Sequence, residues 1–334
     1  MKLAPVFTDN AVFAENKPVY VFGSGEGNIR VSFRGDTVGA ECKDGKWLVR
    51  FPAREAGGPF ALTVTDGAET VTLNDIYVGL VYLVAGQSNA EFRLEESNTQ
   101  ESEYVSDEMI RSFFVARRWA ANDPVKMSDG WQKAAAGNVG KWSALGYLVA
   151  RAVRKEKGGC VGFVSCFQGA SCIESWLAPE DSTRFRLPDE ELYCDHFIPE
   201  FAYWNRNSVI YDTMLCTLFP FSFSGVVWYQ GESDASPEEA AIYASELESL
   251  FDTMRRSFRD KTLRVSLVQI ADCDERIAVN SSGWRGIQRA QELYCERDGN
   301  AYLVVSRDIC ETDCIHPPTK TALAQRIADA LLCR

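Results

Sequence analysis

An apolar run from Ile76 to Ala85 stops at Gly86, and Gln87, Ser88 and Asn89 follow it directly. The run is about half of the roughly 20 residues that a membrane helix needs. Nor does it alternate as a half-exposed strand would. A short continuous apolar run closed by glycine reads as a strand buried on both faces, the kind found inside parallel sheets. In such sheets the functional residues gather in loops at the carboxyl ends of strands. A strand that hands over a hydroxyl two residues past its closing glycine is one way to present a nucleophile. Capping a helix is the other role open to Ser88.

The rest of the chain divides around this strand. Up to about residue 75 short β-rich runs recur, such as Ile29-Arg30-Val31-Ser32-Phe33 and Trp47-Leu48-Val49-Arg50-Phe51. Turn signals such as Lys43-Asp44-Gly45 and Gly57-Gly58-Pro59 separate them, so residues 1–76 are expected to form a small β-sandwich domain. From residue 77 to 334 the pattern becomes strand, loop, helix. Strands are expected near Cys160–Val164, Gly225–Tyr229, Leu263–Ile270 and Ala301–Val305. Ser143 is expected to cap a helix ending at Gly158-Gly159, and Ser236-Pro237-Glu238-Glu239 to open another. Further helices are expected over Trp284–Arg297 and Thr319–Leu332. Residues 91–142 and 177–208 read as irregular. Strands alternating with helices imply an α/β fold with a mostly parallel sheet covered on both faces.

A formal charge of −12 and a pI near 4.9 argue against a nucleic-acid or anionic-membrane partner. The eleven cysteines are odd in number and scattered. No apolar leader follows Met1-Lys2-Leu3-Ala4-Pro5, so reduced thiols and a cytoplasmic location are expected. Cys160, Cys166 and Cys172 recur at a spacing of six, but no C-x-x-C zinc pattern exists. No metal and no cofactor are expected. Oligomeric state is not legible.

A serine needs a base, and the chain offers only His196 and His316. His316 lies in Asp313-Cys314-Ile315-His316-Pro317-Pro318, a loop after the last expected strand. Asp313 can curl back onto one ring nitrogen and leave the other to take the serine proton; Asp308 is the reserve acid. His196 lies in an irregular stretch with no serine loop beside it and is expected on the surface or against substrate. An α/β-hydrolase elbow would need a second glycine after Ser88, which the chain lacks.

Four blocks carry a resemblance: Gly86-Gln87-Ser88-Asn89; Gly169 with Ile173-Glu174-Ser175-Trp176; Trp228-Tyr229-Gln230-Gly231-Glu232-Ser233; and Ile315-His316-Pro317. In this order they resemble the sialate O-acetylesterase family of the SGNH hydrolase superfamily. The resemblance implies a three-layer α/β/α sandwich esterase domain preceded by the small β-domain. It implies removal of O-acetyl groups from sugars, sialate or plant-polysaccharide-derived, without metal or cofactor. Ser88 matches the nucleophile and His316 the base, with Asp313 assigned to orient it. Ser88 and Gly169 match backbone oxyanion donors, and Gln230 the side-chain donor; Gln87, Asn89 and Glu232 fall where supporting residues are expected. Phe92, Trp176 and Trp204 could stack on a sugar, and Arg93, Arg184, Arg186 and Arg206 could meet a sialate carboxylate. Four departures stand out: Ala90 after the serine-asparagine pair, Gly169-Ala170-Ser171-Cys172 for Gly-Gly-Thr-Pro, Asp212 for an asparagine, and Cys314 where many members place the acid. The last motivates an alternative, a catalytically inactive glycan-binding protein that keeps the fold.

Overall fold

The computed structural model describes residues 1–117, 129–274, 277 and 281–333. Its first strands are β1 (Lys2–Leu3), β2 (Val12–Ala14), β3 (Val19–Ser24), β4 (Asn28–Phe33), β5 (Asp36–Glu41), β6 (Lys46–Phe51) and β7 (Gly57–Thr65). β1, β3 and β6 form one antiparallel sheet, while β5, β4 and β7 pair in that order. Alternation explains the burial. In β4 Ile29, Val31 and Phe33 are buried, and in β6 Trp47, Val49 and Phe51 are. Phe33 of one sheet meets Phe51 of the other edge-on, with ring centres 6.0 Å apart.

β8 (Thr70–Gly86) crosses from this module into the rest of the protein. Its first half pairs antiparallel with β7 and its second half runs parallel to two later strands. The expected domain boundary at residue 76 therefore falls inside one continuous strand. The later strands are β9 (Asp107–Phe114), β10 (Gln132–Ala134), β11 (Val161–Phe167), β12 (Gly225–Tyr229), β13 (Val265–Val268) and β14 (Ala301–Val304). Together they give the order β10-β9-β11-β8-β12-β13-β14, in which every pairing is parallel except β10 with β9.

β9 and β10 occupy a stretch that reads as irregular in sequence. The cause is Arg111, whose side chain is 1% exposed in the middle of β9. Its guanidinium donates to the carbonyls of Asn10 and Asp75 and to the Asp75 carboxylate. A buried charge is tolerated when paired and hydrogen-bonded, but its partner stands 36 residues earlier and leaves no local pattern.

The helices are α1 (Ser88–Glu91), α2 (Ala144–Lys157), α3 (Pro179–Arg184), α4 (Val209–Thr213), α5 (Pro237–Ser257), α6 (Trp284–Arg297) and α7 (Thr321–Leu332). The Ser143 hydroxyl accepts the Gly146 N–H at 3.1 Å to open α2, and Ser236 accepts from Glu239 at 3.1 Å to open α5. Tyr243, Leu247, Leu250, Phe251 and Met254 make the buried stripe of α5. α2 packs on α7, and α5 on α6. The result is a mixed α/β fold built on a large sheet, with β8 at its centre.

Candidate active site

Gly86, Phe167 and Tyr229 stand side by side in register at the carboxyl ends of β8, β11 and β12. Three loops therefore leave the sheet at one level. Gly86 has φ +132°, and a Cβ there would lie 2.0 Å from the Tyr229 carbonyl oxygen. Only glycine fits both the dihedral and the contact. The Gln87 N–H then donates to Tyr229 O, and the Gln168 N–H to Gly86 O, each at 3.0 Å.

Ser88 opens α1 and is half-buried. Its neighbours are fixed by polar contacts to the other loops. The Gln87 side chain donates to Ser233 Oγ at 3.1 Å and accepts the Gly231 and Ser233 N–H groups. Asn89 is 1% exposed and joins three segments. Its Nδ2 donates to Glu232 Oε1 at 2.7 Å and to the Ile315 carbonyl at 2.9 Å, while its Oδ1 accepts from Lys320 Nζ at 2.9 Å. The residue after the serine thus grips the residue before the histidine. On the other side, a Cβ added to Gly169 would come within 3.7 Å of Ser88 Cβ, so the Gly169 backbone lies directly against the serine.

Among the described residues no hydrogen bond joins His316 to Ser88 or to Asp313. The His316 ring is tilted beside Phe92, with centres 6.1 Å apart. Asp313 is exposed. Asp308 is held by Arg326 of α7 through two bonds, at 2.7 and 3.1 Å. Burial holds the His316 imidazolium pKa below its ordinary value; the Lys320 charge pushes the same way and Glu96 opposes them. Lys320 is 1% exposed, and burial lowers its own pKa to about 8. Its ammonium stands 4.9 Å from the centre of the Phe92 ring. Nothing in the sequence marks this lysine, which reads as an ordinary residue before a helix.

The predicted donors differ in availability. The first N–H groups of a helix have no partner within it, and the Ser88 N–H has none elsewhere among the described residues. The Gly169 N–H donates to Glu91 Oε2 at 3.1 Å, and Glu91 is held by two bonds from Arg117, at 2.9 and 2.7 Å. Gln230 is fully buried. Its amide donates to Ser171 O at 2.9 Å and to the Asp234 carboxylate, and its Oε1 accepts from Tyr243 at 2.7 Å. Glu91 escapes sequence reading because its partners come from positions 26 and 78 residues away.

A cavity of about 290 Å³ opens beside Glu91, lined among others by Arg93, Arg117, Lys141, Trp142 and Phe167. Of the aromatic residues expected near a sugar, Trp176 is fully buried against Trp228 and Trp204 is 4% exposed. Phe92 is half-buried beside His316. Arg184 and Arg206 lie over the rings of Phe185 and Tyr203. The expectation for His196 is overturned: its side chain is 8% exposed and packs against Glu174, Glu239 and Cys172. The sequence around it is polar, and the partners that bury it come from two other segments.

A family model described as carbohydrate esterase, sialic acid-specific acetylesterase, matches residues 78–333. The sialate O-acetylesterase of Rattus norvegicus is 25% identical over 336 residues, covering 84% of this chain and 62% of its own length. That of Homo sapiens is 24% identical and covers 84% of this chain and 59% of its own. The chain thus spans about three fifths of the length of these curated relatives. The crystal structure of a carbohydrate acetylesterase from Xanthomonas citri superposes with a TM-score of 0.80 at 27% identity, covering 98% of this chain and 73% of that one.

Proposed function

Because this chain belongs to the sialic acid-specific acetylesterase family of carbohydrate esterases, we propose that it releases acetate from O-acetylated sugars with Ser88 as nucleophile and His316 as base. The observation that carries the reading is the Asn89 bond to the Ile315 carbonyl at 2.9 Å. It ties the serine loop to the histidine loop across 226 positions of chain.

Ser88 Oγ attacks the acetyl carbonyl as His316 takes its proton. The tetrahedral oxyanion collapses, the sugar oxygen leaves with that proton, and the acetyl group stays on Ser88. His316 then deprotonates a water, which displaces acetate and restores the serine. A base must be neutral to begin this cycle, and the lowered pKa of His316 supplies that state at neutral pH. The oxyanion is held by the Ser88 N–H and by the Gly169 N–H, which substrate shares with Glu91. Each such donor is worth on the order of 10²–10³ in rate. Gln230, expected as a third donor, already spends its amide hydrogens on Ser171 and Asp234. We assign it to holding the second and third loops together.

Asp313 completes a Ser-His-Asp triad if its carboxylate turns to His316. Its exposure, with no bond to His316 among the described residues, favours a second reading, a Ser-His dyad. Asp313→Ala separates them: a loss on the order of 10⁴ in kcat supports the triad, and a loss within tenfold the dyad. The same family reading makes residues 77–334 the three-layer esterase unit and 1–76 a β-sandwich joined to it through β8. The odd number and the scatter of the cysteines support a reducing, cytoplasmic setting. Arg93 and Lys141 in the cavity beside Glu91 suit a carboxylate-bearing sugar, so acetylated sialic acid is the first substrate to test, ahead of acetylated plant oligosaccharides.

Purified protein is expected to hydrolyse p-nitrophenyl acetate, and Ser88→Ala to remove that activity. Equal rates in the two proteins contradict the proposal. Saturable sugar binding without acetate release would indicate the glycan-binding alternative.

A further inference from the structure

Gly169 lies against Ser88, yet the residue that follows it holds a conformation its own chemistry does not favour. Ala170 has φ +50°. In this region Cβ crowds the following carbonyl, so it is visited by glycine or by short polar side chains that bond locally. Among the described residues every other non-glycine position at positive φ is polar. Ala170 has no side-chain group to bond with. Such a residue persists only where its surroundings hold it, and residues held this way cluster at functional sites.

What holds it is Asn205, which stands 35 residues further along the chain and is 6% exposed. Its Nδ2 donates to the Ala170 carbonyl at 2.9 Å, and its Oδ1 accepts the Cys172 N–H at 3.0 Å. These are the two groups that one residue of a neighbouring parallel strand would pair with. The second Nδ2 hydrogen goes to the Asp195 carbonyl at 3.1 Å. A carbonyl only accepts and a backbone N–H only donates, so the three partners fix which way the Asn205 amide faces. The Trp204 indole N–H also donates to the Ala170 carbonyl, at 3.3 Å. Ser171, between the two gripped residues, is fully buried, and its carbonyl accepts from Gln230. The loop is therefore fixed from residue 170 to residue 172, starting one position past the Gly169 N–H.

We propose that Asn205 is a positioning residue for ester hydrolysis: it clamps Ala170 in the left-handed region and so aims the Gly169 N–H at the oxyanion. This role rests on Ser88 as nucleophile and on the Gly169 N–H as oxyanion donor. Among the described residues Asn205 makes no hydrogen bond to Ser88 or Gly169, so it acts through the loop alone. An oxyanion donor works at about 2.7–3.1 Å from the oxygen it stabilises, and a misplacement of about 1 Å can cost on the order of 10² in rate. An interaction made only in the transition state is lost from kcat and leaves KM unchanged. The clamp also gives a consequence to the alanine that stands where Gly-Gly-Thr-Pro would place a second glycine. Glycine reaches positive φ unaided, and alanine needs Asn205 to keep it there. Asn205 lies in the stretch 177–208 that reads as irregular, and its partners come from the other side of that stretch.

The test is a double-mutant cycle on the full chain, read with p-nitrophenyl acetate. Asn205→Asp keeps the size and the acceptor of the side chain and removes both donors. It is expected to lower kcat on the order of 10²-fold with KM within about threefold of wild type. In the Ala170→Gly background the same substitution should cost less than about tenfold, because glycine holds positive φ without the clamp. A merely structural asparagine would cost the same in both backgrounds. Should Asn205→Asp fail to fold, Trp204→Phe removes one donor to the Ala170 carbonyl, and the same cycle is run with it. A several-fold loss of kcat at constant KM, smaller in the Ala170→Gly background, is then expected. Ser88→Ala assayed alongside separates the two ways of failing. A Ser88→Ala rate equal to wild type removes the catalytic reading and this role with it. An inactive Ser88→Ala beside an Asn205→Asp that keeps its kcat, or equal losses in both backgrounds, overturns the role of Asn205 alone.

Discussion

His316 and His196 are the only histidines of the chain, and they stand in opposite electrostatic settings. His316 has a buried ammonium near it, and burial and that charge together lower its pKa. Burial alone would lower His196 as well, but the Glu174 and Asp234 carboxylates outweigh it and raise the pKa. One ring is kept neutral and ready to accept a proton. The other is held among anions, where a positive charge is wanted. The lesson is that a histidine's role follows from the sign of its neighbours, and those neighbours come from distant segments.

The largest expected effect breaks or keeps that division. His316→Asn should lower kcat for p-nitrophenyl acetate by at least about 10³-fold, whereas His196→Gln should stay within about tenfold of wild type when assayed folded. Equal losses would erase the distinction. Next in size is stability: His196→Gln should lower Tm by several degrees, from a lost buried partner, and His316→Asn should change it little, as read by calorimetry.

The pH profile sharpens the comparison further. A lowered histidine pKa means that kcat/KM rises through a midpoint below about 6.5 and is flat at neutral pH. Lys320→Met removes the charge that holds the midpoint down, so the acid limb should move to higher pH and cost several-fold in rate near pH 6 relative to pH 8. An unmoved limb would show that the lysine does not act on His316. The smallest effect has the opposite sign. Glu96→Gln removes the one charge that raises the His316 pKa, so the limb should shift slightly to lower pH, a change under about threefold in rate at pH 6.

Much of the scaffold is legible because its signals are local. Gly86 ends an apolar run, Ser143 and Ser236 cap helices, and the α5 stripe repeats at helical spacing. β9 is hidden because its central Arg111 is neutralised by a distant Asp75. The serine and histidine loops announce themselves through short motifs. Glu91, Lys320 and the buried set around His196 do not, since each takes its meaning from contacts that the fold alone creates. Gln230 shows the limit from the other side: its position fits a donor, yet its hydrogens are already committed.

The most direct test of the central claim is labelling with an organophosphonate fluoride, followed by peptide mass spectrometry and acetate-release assays on the same samples. A single adduct on Ser88, growing in step with the loss of acetate release and suppressed in His316→Asn, is the predicted result. Activity lost while Ser88 stays unmodified, or an adduct on another residue, would contradict the account.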